Sequence, residues 1–112
     1  MPLTIAHENL GGHTVLTVDG DLDLATAPEL TSLGLALVEA GAASVVVDAR
    51  KLVFCDSSGL SALVQIANRL AGRRLAIAAP TPIVRRVLEM SGLVDAFVVT
   101  ESVPAALAAL DE

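Results

Sequence analysis

Short apolar runs alternate with stretches of helical period along this chain. Leu3–His7 and His13–Val18, the second with Val15, Leu16 and Val18 as its apolar positions, predict two strands. The Asn9–Gly12 stretch "NLGG" between them has the chemistry of a tight turn and predicts a hairpin. Gly20-Asp21-Leu22-Asp23 is expected to end the second strand. Thr26 stands three residues before Glu29, the spacing of a capping box, and Pro28 falls in the first turn, where it loses no helical bond. Leu30, Leu33, Leu37 and Ala40 then share one helical face, with Gly41 as the stop.

The β-branched run Ser44–Ala49, "SVVVDA", predicts a buried strand. A second helix follows "FCDSSGLSALVQ" (54–65), with Leu60, Leu63, Val64, Ala67, Leu70 and Ala71 on one face and Gly72 at its end. Arg74–Ala79 is the next strand. Thr81 and Pro82 open a third helix as N-cap and first residue; it carries Ile83, Val87 and Leu88, and ends at Gly92 with Leu93 folding back. Ala96–Thr100 predicts a last strand and Ser102–Leu110 a last helix. The order ββαβαβαβα predicts an α/β fold with a mixed, mostly parallel sheet, right-handed crossovers and one domain over 1–112.

Composition narrows the function classes. At 112 residues the chain can bury roughly two thirds of the surface its unfolded form exposes. Its only aromatics are Phe54 and Phe97, so the core is aliphatic. The net charge of −6, with no basic stripe, argues against a nucleic-acid partner. The N-terminus lacks the pattern of a signal peptide, and no apolar run reaches the roughly 18 residues of a membrane span. A single cysteine, Cys55, excludes an internal disulfide and reads as a small apolar residue under the turn. A cytoplasmic protein without a membrane contact is expected.

The chemistry-bearing residues concentrate in two places. Ser57 and Ser58 stand where a strand gives way to a helix, and the residues alone leave two readings open. Either serine caps the helix, a common arrangement worth about 1 kcal/mol, or the hydroxyl is presented at an exposed turn for modification. A hydrolase is disfavoured: the motif is not G-x-S-x-G, and the only histidines, His7 and His13, flank the N-terminal hairpin, far in sequence from the serines. No metal-ligand spacing or phosphate loop occurs, so no catalytic residue, metal or cofactor is expected. Asp21 and Asp23 form the second place. If their loop neighbours the Ser57 turn, the two make an acidic surface around a hydroxyl. The arginine pairs Arg73-Arg74 and Arg85-Arg86 read as solvated charges at element ends.

"GDLDLATAPEL", "VVVDARKLVFCDSSGLSALV" and "PIVRRVLEMSGLVDAF" resemble, in order and spacing, three signature segments of the STAS family, and more closely its bacterial anti-sigma factor antagonists. The resemblance covers nearly the whole chain; many relatives carry Met where Cys55 stands. It implies a partner-switching cycle. The unphosphorylated antagonist binds an anti-sigma factor, often itself a serine kinase, and so releases a sigma factor. The kinase then phosphorylates Ser57, and a PPM-type, metal-dependent serine phosphatase reverses the step. The partner surface implied comprises Asp21, Asp23, Asp56, Ser57, Ser58, Gly59 and Leu60, on a protein that is a monomer when free. The alternative function is that of a stand-alone STAS subunit in a sensory assembly or beside a phospholipid-transport ATPase.

Overall fold

In the computed structural model, which describes residues 2–70 and 74–111, the hairpin forms where the turn residues direct it. Strand β1 (Thr4–Leu10) runs antiparallel to β2 (His13–Leu22), closing on the Leu10–His13 pair. The two-residue loop has φ of +59° at Gly11 and +86° at Gly12, the sense that a type I′ turn demands. Strand β2 continues past Val18 and through Gly20, because it changes neighbour there. Thr14–Thr17 pair with β3 (Val45–Asp48), while Gly20–Leu22 pair with β4 (Leu52–Cys55), with a register shift between Gly20 and Asp21. At that shift Gly20 has φ +118°, and a Cβ on it would lie 2.4 Å from the Pro2 carbonyl oxygen. No other residue type fits.

The fold class and the order of strands and helices are as the sequence predicts, with β4 in addition. After β2 come α1 (Ala27–Glu39), β3, β4, α2 (Ser57–Arg69), β5 (Leu75–Ala78), α3 (Pro82–Met90), β6 (Val98–Thr100) and α4 (Val103–Leu110). A 3₁₀ turn over Val94–Ala96 occupies the start of the run expected to be the last strand. The sheet order is β1-β2-β3-β5-β6, parallel except for β1, with β4 attached to the end of β2. The expected helix end at Ala71 and Gly72, and Arg73, lie outside the described residues. No helix among the described residues is long and apolar enough to cross a membrane.

The two faces of the sheet are covered unequally. Leu16, Val18, Val45 and Val47 point into the larger core with Leu30, Leu63, Ile66 and Leu88, contributed by α1, α2 and α3. Val15, Val46, Ala76 and Ala78 form the smaller one with Ala106 of α4. The inward stripe of α1 is Ala27, Leu30, Gly34 and Val38 rather than the Leu30, Leu33, Leu37, Ala40 line expected from hydropathy. Close packing decides this: a Cβ on Gly34 would lie 2.3 Å from Ile66 Cδ1, so α2 rests on bare backbone. Leu33 and Leu37 reach only the flank of the core, and Ala40 is exposed. On α3, Val84 and Leu88 are buried while Ile83 is 61% exposed.

Because β2, β4, β5 and β6 run parallel, the segments that enter the four helices all leave at the same end of the sheet. The opposite end is held by His13, buried at the start of β2. Its Nε2 lies 2.6 Å from Asp111 Oδ1 just beyond α4, and its Nδ1 bonds the hydroxyl of Ser44 at the start of β3. A carboxylate only accepts, so Nε2 donates to Asp111; in the neutral ring, Nδ1 then accepts from Ser44. This Ser–His–Asp set is chemically familiar, and a sequence separation of 98 residues hid its acid. With Ser44 5% and His13 8% exposed, it is closed to a substrate and acts as a clamp.

Replacing His13 by Ala removes both bonds and strands the buried Ser44 hydroxyl. Urea unfolding is expected to show a loss of about 1–3 kcal/mol. Asp111→Ala keeps the His13–Ser44 bond and removes one partly buried pair whose acid faces solvent, and is expected to cost about 0–1 kcal/mol. Equal, negligible losses would show that the clamp holds nothing.

Candidate functional site

The turn into α2 is organised by Asp56. Its backbone is extended, and its Oδ1 accepts from the N–H of Ser58 at 2.9 Å and of Gly59 at 3.1 Å. Asp56 is therefore the N-cap, the role the sequence offered to Ser57 or Ser58. An acceptor-only carboxylate one residue earlier does this better than a hydroxyl already inside the helix. Ser57 becomes the first helical residue and is exposed; Ser58, the second, is half-buried. Among the described residues neither hydroxyl has a hydrogen-bond partner.

The loop before α1 is ordered by a second acid. Asp23 Oδ1 accepts from the N–H groups of Ala25 (3.0 Å) and Thr26 (3.1 Å). Thr26 Oγ1 donates to the Asp21 carbonyl at 2.7 Å and accepts from the Asp23 N–H at 2.9 Å. The capping box expected from Thr26 and Glu29 does not form. Thr26 has helical dihedrals, so its hydroxyl turns back into the loop instead of over the first turn. Pro28 sits in that turn as expected.

Strand pairing brings the two loops together. Leu22 is opposite Cys55, and the Asp56 N–H donates to the Leu22 carbonyl at 3.2 Å, so Asp23 and Asp56 leave the sheet side by side. Asp21 lies one step back on β2, half-buried and opposite Phe54. Gly59 and Leu60 are buried beneath the turn and shape it through packing. A Cβ on Gly59 would lie 2.7 Å from Leu22 Cγ and 2.8 Å from Cys55 Sγ, so only glycine lets α2 begin so close to β2. Cys55 is buried, as its expected apolar role requires. Burial first, and the Asp56 charge second, push its thiol up to about 11.

Between the N-terminal halves of α1 and α2 lies a cleft of about 500 Å³. Ser57, Ser58 and Ser61 line one wall and Leu24, Pro28 and Thr31 the other, and none of its described lining residues is charged. Chemically it offers hydroxyls without a base: Asp56 is committed to the cap, and His13 stands at the far end of a ten-residue strand, about 30 Å away. No three metal-ligating side chains gather anywhere among the described residues. Ser57 is thus an exposed hydroxyl with no neighbouring base among the described residues.

Sequence reasoning passed over Asp48. This carboxylate is 3% exposed at the end of β3, gripped by Arg50 through Nε at 3.1 Å and Nη2 at 2.9 Å. The pair fixes the turn that redirects the chain into β4. An acid inside an apolar run with an arginine two residues later was the available signal. Of the arginines read as solvated, Arg74 donates to the Ala109 carbonyl at 2.6 Å and Arg85 meets Glu101 at 3.2 Å, while Arg86 is exposed.

A family model described as the STAS domain matches residues 4–106. No curated protein sequence matches. Among solved structures, an anti-sigma factor antagonist from Mycobacterium paratuberculosis superposes with a TM-score of 0.91 at 28% identity, covering 98% of this chain and 95% of its own. A putative anti-sigma factor antagonist from Thermotoga maritima gives a TM-score of 0.90 at 15% identity, covering 96% and 95%. The Bacillus cell fate determinant SpoIIAA in its phosphorylated form gives 0.72 at 20% identity, covering 94% and 97%. The last two likenesses are of fold.

Two outcomes test the local account. Asp56→Ala is expected to lower stability by about 1 kcal/mol in denaturant unfolding, and Ser57→Ala by no more than a few tenths; the reverse order would return the cap to the serine. With its titration raised to about 11, Cys55 stays a neutral thiol at pH 8. Alkylation there is expected to be slow in the native protein and fast once it unfolds, followed by mass spectrometry.

Proposed function

The chain belongs to the STAS domain family, and we propose that it is an anti-sigma factor antagonist whose unphosphorylated form binds an anti-sigma factor and thereby frees a sigma factor. The observation that carries this reading is the exposed hydroxyl of Ser57, left without a structural task because Asp56 caps α2. The anti-sigma factor is a serine kinase. In its site Ser57 Oγ forms a bond to the γ-phosphorus of ATP as the bond to the ADP oxygen breaks, and a base of the kinase takes the hydroxyl proton. A PPM-type phosphatase returns Ser57 to its free form. The protein works in the cytoplasm, as a monomer when free. The known antagonist fold of the mycobacterial neighbour, and the phosphorylated form in which SpoIIAA was solved, support this reading.

The physical basis of the switch is charge at a crowded place. A phosphoserine adds about −1.5 to −2 charges near neutral pH. A helix N-terminus usually welcomes an anion, but here the N–H groups of Ser58 and Gly59 are already bonded to Asp56. The phosphate on Ser57 therefore projects outward next to two carboxylates, Asp56 and Asp23. Its bulk and charge fall inside the contact face. Losing about 2.7 kcal/mol there weakens a complex a hundredfold. The fold persists, since no native bond uses the Ser57 hydroxyl.

Binding of purified variants to the co-purified anti-sigma factor tests this directly. Ser57→Ala is expected to bind as wild type and to take no phosphate. Ser57→Asp, with one charge instead of nearly two, is expected to bind about tenfold more weakly. Wild-type affinity in Ser57→Asp would remove the repulsion account.

A further inference from the structure

Leu24 is 77% exposed, yet it sits in a loop held by several side-chain hydrogen bonds. Single surface leucines are common and need no explanation, but this one differs in three ways. Its neighbours Asp23, Ala25 and Thr26 are tied by side-chain bonds of 2.7–3.1 Å, so the leucine is held out on a loop with little freedom to lose on binding. It lines the same cleft as Ser57. Finally, the rest of that cleft is largely hydroxyls and the turn beside it acidic, so Leu24 is a large apolar group set in a polar rim, the arrangement of an interface anchor.

We propose that Leu24 is the apolar anchor through which the kinase-type anti-sigma factor grips this chain, and that it determines partner choice at the Ser57 surface. The inference rests on the function proposed above and names the chemistry of the partner. The kinase carries an apolar pocket for Leu24, and the rim of that pocket bears hydrogen-bond donors or basic groups that meet Asp23 and Asp56. Ser57 is then delivered to the ATP site by a contact on the adjacent loop rather than by its own side chain. Leu24 touches no reacting atom, so it acts on substrate binding and leaves the transfer step alone.

The test is steady-state phosphorylation of the full chain by the anti-sigma factor kinase isolated on immobilised wild-type protein, with ATP and phosphate-affinity electrophoresis as the readout. Leu24→Ala is expected to raise KM about tenfold or more with kcat unchanged, and Leu24→Met to restore most of the affinity. Unaltered thermal unfolding of both variants shows that the fold is intact, as the exposure of Leu24 requires. A phosphorylated wild type with an unchanged KM in Leu24→Ala overturns this inference alone. A fall in kcat at constant KM overturns it too, since Leu24 would then act on the chemistry. A wild-type chain that takes no phosphate from its isolated partner overturns the inference together with the function it rests on.

Discussion

The Asp56 carboxylate and the two N–H groups it accepts from govern what this molecule can offer to a partner. The first turn of any helix leaves donors unpaired, and something must fill them. Asp56 fills two from outside the helix, so Ser57 and Ser58 are not needed for the purpose. The same bonds fix the direction in which Ser57 emerges, and they occupy the seat an anion would otherwise take at the helix end. Exposure of the Ser57 hydroxyl and its freedom from the cap both follow from which residue caps α2, and the proposed phosphorylation builds on them.

That cap is held at the right place by the sheet. Strand β2 gives up β3 as its neighbour at Gly20 and takes β4, and the last pair of this new ladder, Leu22 with Cys55, sets Asp23 beside Asp56. At the site end, Gly20 and Gly59 are two positions where the chain packs too closely to admit a side chain. One admits Pro2 next to the change of partner; the other admits Leu22 and Cys55 beneath the serine turn. Rigidity at the site end thus comes from close backbone packing and two acid-centred turns, while His13 holds the far end between Ser44 and Asp111.

Much of this was legible in the sequence, and the exceptions have physical reasons. The parallel order followed from strands that alternate with helices, and the cap at Thr81 formed as its side chain predicts, while Ser102, read as the start of the last helix, caps it instead. Strand β4 was missed because its four residues do not alternate: Val53 and Phe54 are both exposed, and a bulge at β2 absorbs the difference. The face of α1 was misjudged because leucines were weighed above Gly34, whose value lies in having no side chain. Thr26 has the spacing of a cap but not the dihedrals. The His13 clamp joins residues from opposite ends of the chain, a pairing no local pattern reveals. At the serine turn the motif was legible, but the identity of the cap was not, because Asp56, Ser57 and Ser58 are all good N-cap residues.

The central claim, that Ser57 is a switch and not a structural cap, is tested most directly in the native cell. Phosphosite mapping by mass spectrometry on the endogenous protein, with Ser57→Ala as control and co-purifying proteins identified from the same sample, separates the two. The account predicts phosphate on Ser57 in at least one growth condition, and an ATP-binding anti-sigma factor that accompanies the unmodified form. A serine that is unmodified in every condition, on a protein recovered with a transporter ATPase or a sensory scaffold, would contradict it.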